Sequence, residues 1–194
     1  MSNSAEQVTL AVDPGTDRCG VALFMGQRLT RVHLARATGA VDPHDFIQRA
    51  RAVARDVAAW VDQTLVGTGT DAVLNTLAGR KVDQLVIEFP QVYKHGPGAK
   101  VDPDSVLAVA TAVGAIVTAL PEVRAIKSPR PREWKQQVPK EVMNTRIVLA
   151  LDDAERAVLR DAGMAGRIRI GTDNNVLDAC GLGIYVVGRQ GRRA

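Results

Sequence analysis

Leu10-Ala11-Val12-Asp13-Pro14-Gly15-Thr16 is the stretch on which the reading of this chain turns. A compact apolar run from Val8 to Val12 stops at an acid, and the acid is followed by a proline and a glycine. Apolar and β-branched residues fit a strand, proline presets one backbone angle of a tight turn, and glycine accepts the positive one. The pattern predicts a central strand with Asp13 projecting from its C-terminal tip. Gly20 to Met25 is a second apolar run and Leu29 to Ala35 a third with alternation, so three short strands with tight turns are expected as an antiparallel meander. Asp-Pro-Gly is also a plain turn signal, and alone it assigns Asp13 no chemistry.

Downstream, Asp42-Pro43-His44-Asp45 is a helix-start signal, and Phe46, Ile47, Ala50, Val53, Ala54, Val57, Ala58 and Val61 recur at helical spacing. Gly67 to Thr70 breaks that helix. A shorter helix is expected through Ala72 to Leu77, and Val82 to Glu88 reads as a buried strand ended near Pro90. A strand reached through a helical crossover lies parallel to the first. Asp104-Ser105 opens a helix through Leu120, Val123 to Ile126 is a short strand, Glu141 to Asp161 is helical behind Pro139, and a last helix runs from about Asp173 to Val187. The expected class is α/β, a mixed five-stranded sheet of three antiparallel strands followed by parallel ones, with helices on both faces. One domain spans 7–188, with flexible tails at 1–6 and 189–194. No role follows for residues 66–81.

The 194 residues, 46% hydrophobic and 24% charged, suffice for one domain with a continuous core. No leader pattern and no membrane-spanning apolar run occurs, so a cytoplasmic protein without membrane contact is expected. Only two cysteines are present, Cys19 and Cys180, each beside or within an apolar run, which argues against a disulfide framework or a zinc site. The formal charge of +4 and pI of about 9.4 favour polyanionic partners without selecting one. Position says more: Lys94 and Lys100 flank a glycine-containing loop, and Arg124 to Lys140 holds six Lys/Arg residues, a stretch able to line a phosphate backbone or simply to be solvated.

Two further acids accompany Asp13. Glu88 follows Leu85-Val86-Ile87 at the end of the expected neighbouring parallel strand, where a carboxylate is costly unless a cation or donor meets it. Asp178 lies on an apolar, glycine-containing helix, with Asn175 and Asn174 at i−3 and i−4 on its polar face and Asp173 or Thr172 as the N-cap. Converging carboxylates without a Cys/His cluster are ligands for hard cations such as Mg²⁺ or Mn²⁺. Two such ions together activate a water and stabilise a leaving oxygen in phosphodiester hydrolysis.

These residues resemble the RuvC Holliday junction resolvases of the RNase H-like superfamily, over most of the chain from Leu10 to about Gly188. Leu10 to Thr16 with Gly20 is similar to that family's first catalytic motif. Val86-Ile87-Glu88, then Asp104-Ser105-Val106-Leu107 and Gly114-Ala115, resembles its second acid and the helix behind it. Trp134-Lys135-Gln136-Gln137-Val138-Pro139-Lys140 resembles its basic stretch, and Asp178-Ala179 its last acid. The resemblance implies a homodimeric, metal-dependent endonuclease cutting branched, four-way DNA, with Asp13, Glu88 and Asp178 holding two Mg²⁺ or Mn²⁺ ions. The family carries an acid or histidine three residues before the last acid. Here that residue is Asn175, which brings no charge, so Asn175 or Asp173 is left as the fourth ligand. Lys94, His95, Lys100, Lys135 and Lys140 are candidates for phosphate contacts and Tyr93 for base stacking or a wedge, with a general base as the alternative role of His95. The first motif is also similar to YqgF-type nucleases of ribosomal RNA processing, and the Asn175 departure leaves open an inert nucleic-acid-binding domain.

Overall fold

Alternation along the first strand sorts the whole molecule into two layers. In β1 (Val8–Asp13), Val8, Leu10 and Val12 pack into one apolar cluster while Ala11 packs into a second on the opposite face. Successive strand side chains point to opposite faces, so every strand that pairs with β1 repeats this division. The computed structural model describes residues 6–38, 42, 45–66, 76–90, 103–136, 138–162 and 174–189. β1 pairs antiparallel with β2 (Arg18–Met25), which pairs antiparallel with β3 (Arg28–Arg36). After α1 (Phe46–Val66), β4 (Gln84–Ile87) lies parallel to β1 on its other side. Then α2 (Pro103–Ala119) leads to β5 (Ala125–Lys127), parallel to β4, which completes a five-stranded sheet ordered β3-β2-β1-β4-β5. The expected mixed sheet is the observed one.

Helices cover both faces. Val53, Ala54, Val57 and Val61 of α1 and Ile116 of α2 pack with Leu10, Val12, Val21, Leu85 and Ile87 on one side. Short α3 (Pro131–Trp134), α4 (Lys140–Ala150), α5 (Asp153–Asp161) and α6 (Asn175–Val186) cover the other, where Trp134, Ile147, Leu159 and Leu182 meet Ala11, Phe24 and Val86. Among the described residues no helix is long and apolar enough to cross a membrane. Both cysteines are buried free thiols, and burial pushes each thiol's pKa up.

Three expectations need correction. The helix foreseen from Glu141 to Asp161 is two helices, because Asp152 caps the second: its Oδ1 accepts from Glu155 N at 2.8 Å while Glu155 Oε2 accepts from Asp152 N at 2.9 Å. This reciprocal box satisfies two backbone donors and outcompetes continuation through Leu151. Phe46 and Ile47, counted in the apolar stripe of α1, are exposed at 40% and 52%. Arg189, expected as the first residue of a free tail, is instead fastened to the described structure. Its guanidinium grips both carboxylate oxygens of Glu155, at 2.8 Å for Oε2, and donates to Gln27 O at 3.0 Å. The helix expected through Ala72 to Leu77 lies mostly outside the described residues, which hold only its end at Thr76 and Leu77 in helical form.

Glu155 is 1% exposed and also accepts from Leu29 N at 2.7 Å, so one carboxylate ties α5 to the β2–β3 hairpin and to the chain's closing residues. Breaking a buried pair from one side strands the remaining charge, at a cost of about 3–5 kcal/mol. Arg189→Ala is therefore expected to lower the urea unfolding free energy by roughly that amount. A loss well under about 1 kcal/mol, the range of surface ion pairs, would show that Arg189 is peripheral.

Candidate active site

Strand register brings the first two acids together. Val12 pairs with Ile87 across the parallel β1–β4 ladder, and Glu88 N extends the ladder by donating to Val12 O at 3.2 Å. Asp13 and Glu88 are thus the next residues out on adjacent strands. Both also share a parity. Val12 and Ile87 face α1, so Asp13 and Glu88 face the opposite layer, where α6 lies.

The third acid arrives because α6 approaches the sheet unusually closely. Asp13 is paired with Gly20 on β2, and a Cβ on Gly20 would stand 1.9 Å from the backbone oxygen of Asn175. Farther along α6, a Cβ on Gly181 would strike Trp134 and Ile147 at 2.7 and 2.6 Å, and one on Gly183 would strike the Phe24 ring at 2.1 Å. The missing side chains at Gly20 and Gly183 let the helix lie directly on the sheet, and the one at Gly181 lets it seat against α3 and α4. Asp178, one turn into the helix and 5% exposed, is thereby held in the same cluster as Asp13 and Glu88.

Two lysines and a tryptophan from the α3–α4 region complete the cluster. Buried Trp134 donates from Nε1 to Glu88 Oε2 at 2.7 Å. Lys135 Nζ stands 3.3 Å from that same oxygen and 3.3 Å from Asp178 Oδ2, and Lys140 Nζ is 3.5 Å from Asp178 Oδ2. Burial pushes the Asp13 carboxyl well above the usual aspartate range, and the Asp178 charge raises it further; Lys135 and Lys140 pull it back only in part. Burial works against the Lys135 ammonium, but Asp13, Asp178 and Glu88 together outweigh it and leave its pKa above the ordinary lysine value.

The loop after Asp13 is also fastened. Arg49 of α1 donates from Nη2 to Thr16 Oγ1 at 3.0 Å and pairs with Asp17, tying the Asp-Pro-Gly turn to the far layer. Asn175 donates its side-chain amide to Arg18 O at 3.0 Å, which fixes the start of α6 to the start of β2. Of the residues singled out from sequence, Asp13, Glu88, Asp178, Lys135 and Lys140 converge, with Asn175 at the edge. Asp173, Tyr93, Lys94, His95 and Lys100 lie outside the described residues. Trp134 and Arg49 carry contacts that sequence reading gave no role. A signal existed for Trp134, since a buried indole N–H needs an acceptor, but nothing local named Glu88.

An all-oxygen set of this kind suits a hard divalent cation, and an ammonium already sits between two of its carboxylates. As placed, no three His, Cys, Asp or Glu side chains among the described residues are arranged to hold one ion together. Lys135 occupies the interval that such an arrangement would close.

No family model matches the chain, and no curated protein matches it significantly. Solved structures do. The Thermus thermophilus RuvC structure aligns over 92% of each chain at 15% identity with a TM-score of 0.52. T. thermophilus RuvC in complex with Holliday junction substrate aligns over 95% of this chain and 96% of that one, at 17% identity and a TM-score of 0.49. The yeast mitochondrial Holliday junction resolvase Ydc2 aligns over 95% of this chain and 82% of its own, at 10% identity and 0.49. The first of these establishes a likeness of architecture: the chain has the RNase H-like fold as it occurs in RuvC.

Proposed function

We propose that this protein is a divalent-metal-dependent endodeoxyribonuclease that resolves four-way DNA junctions. The observation that carries the reading is the convergence of Asp13, Glu88 and Asp178, from two strand tips and a helix, on a point where a cation is already accommodated. Asp13, Glu88 and Asp178 would hold the metal, Mg²⁺ or Mn²⁺, which when bound supplies Lewis-acid stabilisation of a phosphodiester transition state and a more acidic water. Trp134 keeps the Glu88 carboxylate in one orientation by its 2.7 Å hydrogen bond. Lys140, half exposed beside Asp178, would meet a phosphate of the bound strand.

Paired nicks on opposing strands call for two sites related by a two-fold axis, so the working unit in this reading is a homodimer. α2 supports it. The helix is strongly apolar along its 17 residues, yet only Ala112 and Ile116 are buried and Leu107 is 59% exposed, which leaves an apolar surface for a second copy.

Incubating a labelled synthetic four-way junction with the protein, beside linear duplex, single-stranded DNA and structured RNA, in Mg²⁺, Mn²⁺ or EDTA, tests the reading. Paired nicks confined to the junction, absent in EDTA and in Asp13→Asn, are expected. Junction bound but uncut in every metal would make this an inert binding domain, and cleavage of RNA alone would make it an RNA-processing nuclease.

The same variant tests the electrostatics separately. A carboxyl whose pKa is raised by folding contributes stability below its unfolded pKa and loses it as pH rises through the folded value, so Asp13 favours folding less at neutral pH than in acid. In EDTA at pH 7–8, Asp13→Asn is expected to melt above wild type, at about 2–4 °C per kcal/mol relieved. The gap should shrink as pH falls toward the ordinary aspartate range. A lower melting temperature at neutral pH would show that Asp13 is net stabilising.

A second expectation concerns the close helix contact. Gly20→Ala places a methyl group within the backbone of Asn175 and Val176, which must move, carrying Asp178 with it. Junction cleavage should fall at least about tenfold, equivalent to roughly 1.4 kcal/mol of lost transition-state stabilisation, while far-UV circular dichroism stays native. Undiminished cleavage would mean that the position of α6 is not critical.

A further inference from the structure

Lys135 is held in its bridging position from several directions. It follows buried Trp134 directly, its Nζ lies 4.6 Å from the centre of that indole, and the next residue, Gln136, takes a left-handed φ of 55° that turns the chain away. Its side chain is 27% exposed, against 53% for Lys140. The ammonium contacts carboxylates from two different elements, Glu88 after β4 and Asp178 on α6. Among the described residues, Lys140 pairs with Asp178.

Cations repel, so a divalent ion taking Glu88 and Asp178 as ligands is disfavoured while an ammonium bridges the same two carboxylates. We propose that Lys135 is a built-in counter-ion of the acid cluster, which a divalent cation must displace from Glu88 and Asp178 in order to bind. Trp134 keeps its hydrogen bond to Glu88 during the exchange, so the carboxylate stays positioned while the lysine swings out. The displaced ammonium is then free to meet a phosphate, which couples metal loading to nucleic-acid binding: each makes the other more favourable. This inference rests on the metal-dependent reading above.

Mn²⁺ binding to the full chain, followed without DNA by the electron paramagnetic resonance signal of free Mn²⁺, tests it. Lys135→Met is expected to tighten Mn²⁺ binding about tenfold, within the usual range for coupling between two ligands, and Lys140→Met by no more than about threefold. Thermal melts supply an independent readout: Lys135→Met should melt below wild type in EDTA, and saturating Mn²⁺ should raise its melting temperature by more than it raises that of wild type. Lys135→Gln, which removes the charge but keeps a polar side chain, gives the same comparison if the methionine variant does not fold. Wild type that binds Mn²⁺ with Lys135 variants no tighter, or with Lys140→Met equally tightened, overturns the counter-ion role and leaves the metal reading standing. Absence of Mn²⁺ binding in wild type and in the Lys135 variants overturns both.

Discussion

Crowding of like charge at the end of the central strand is the constraint to which the rest of this structure answers. Asp13, Glu88 and Asp178 are drawn from separate parts of the chain into one partly buried cluster, where each negative charge makes the next more costly. Such a cluster persists only if donors and cations are built around it. Here Trp134, Lys135 and Lys140 do this, all from the stretch that links the edge strand β5 to α4. The cation between Glu88 and Asp178 is thus as much a part of the fold as the strands that carry the acids.

Backbone proximity makes the cluster possible, and glycine makes the proximity possible. β2 must be bare at Gly20 for the first turn of α6 to touch it, and α6 must be bare at Gly181 and Gly183 to seat against Trp134 and Phe24. These glycines sacrifice side-chain packing to place one carboxylate. Interiors are packed like crystals, so a displacement of α6 is not absorbed locally but shifts Asp178 relative to the strands. Stability is recovered away from the site, notably through Glu155, whose carboxylate joins the α5 cap, the hairpin of β2 and β3 and the terminal Arg189.

The departure at Asn175 takes on a different sense once its contacts are known. As a neutral amide it donates to Arg18 O and anchors α6 to β2, a task that a carboxylate could not perform because it has no proton to give. The fold of RuvC is present across nearly the whole chain, and Asn175, three residues before Asp178, holds the helix in place.

Sequence alone determined the strands, the crossover helix and the two strand-tip acids, because periodicity is local: alternation from Val8 to Val12 and the helical spacing from Ala50 to Val61 can be read within one element. Parity even foretells that residues one step beyond Val12 and Ile87 share a face, once parallel pairing is assumed. Tertiary structure decided what no local pattern encodes. The break between α4 and α5 depends on a side chain that is also committed to distant Leu29 and Arg189. Trp134 acquired a partner 46 positions away, and Lys135 one 47 and another 43 positions away, because the chain folds α3 back over the strand tips. Hydrogen bonds and ion pairs act over a few ångströms, and which residues come within that range is settled by packing of whole layers, not by neighbours in the chain.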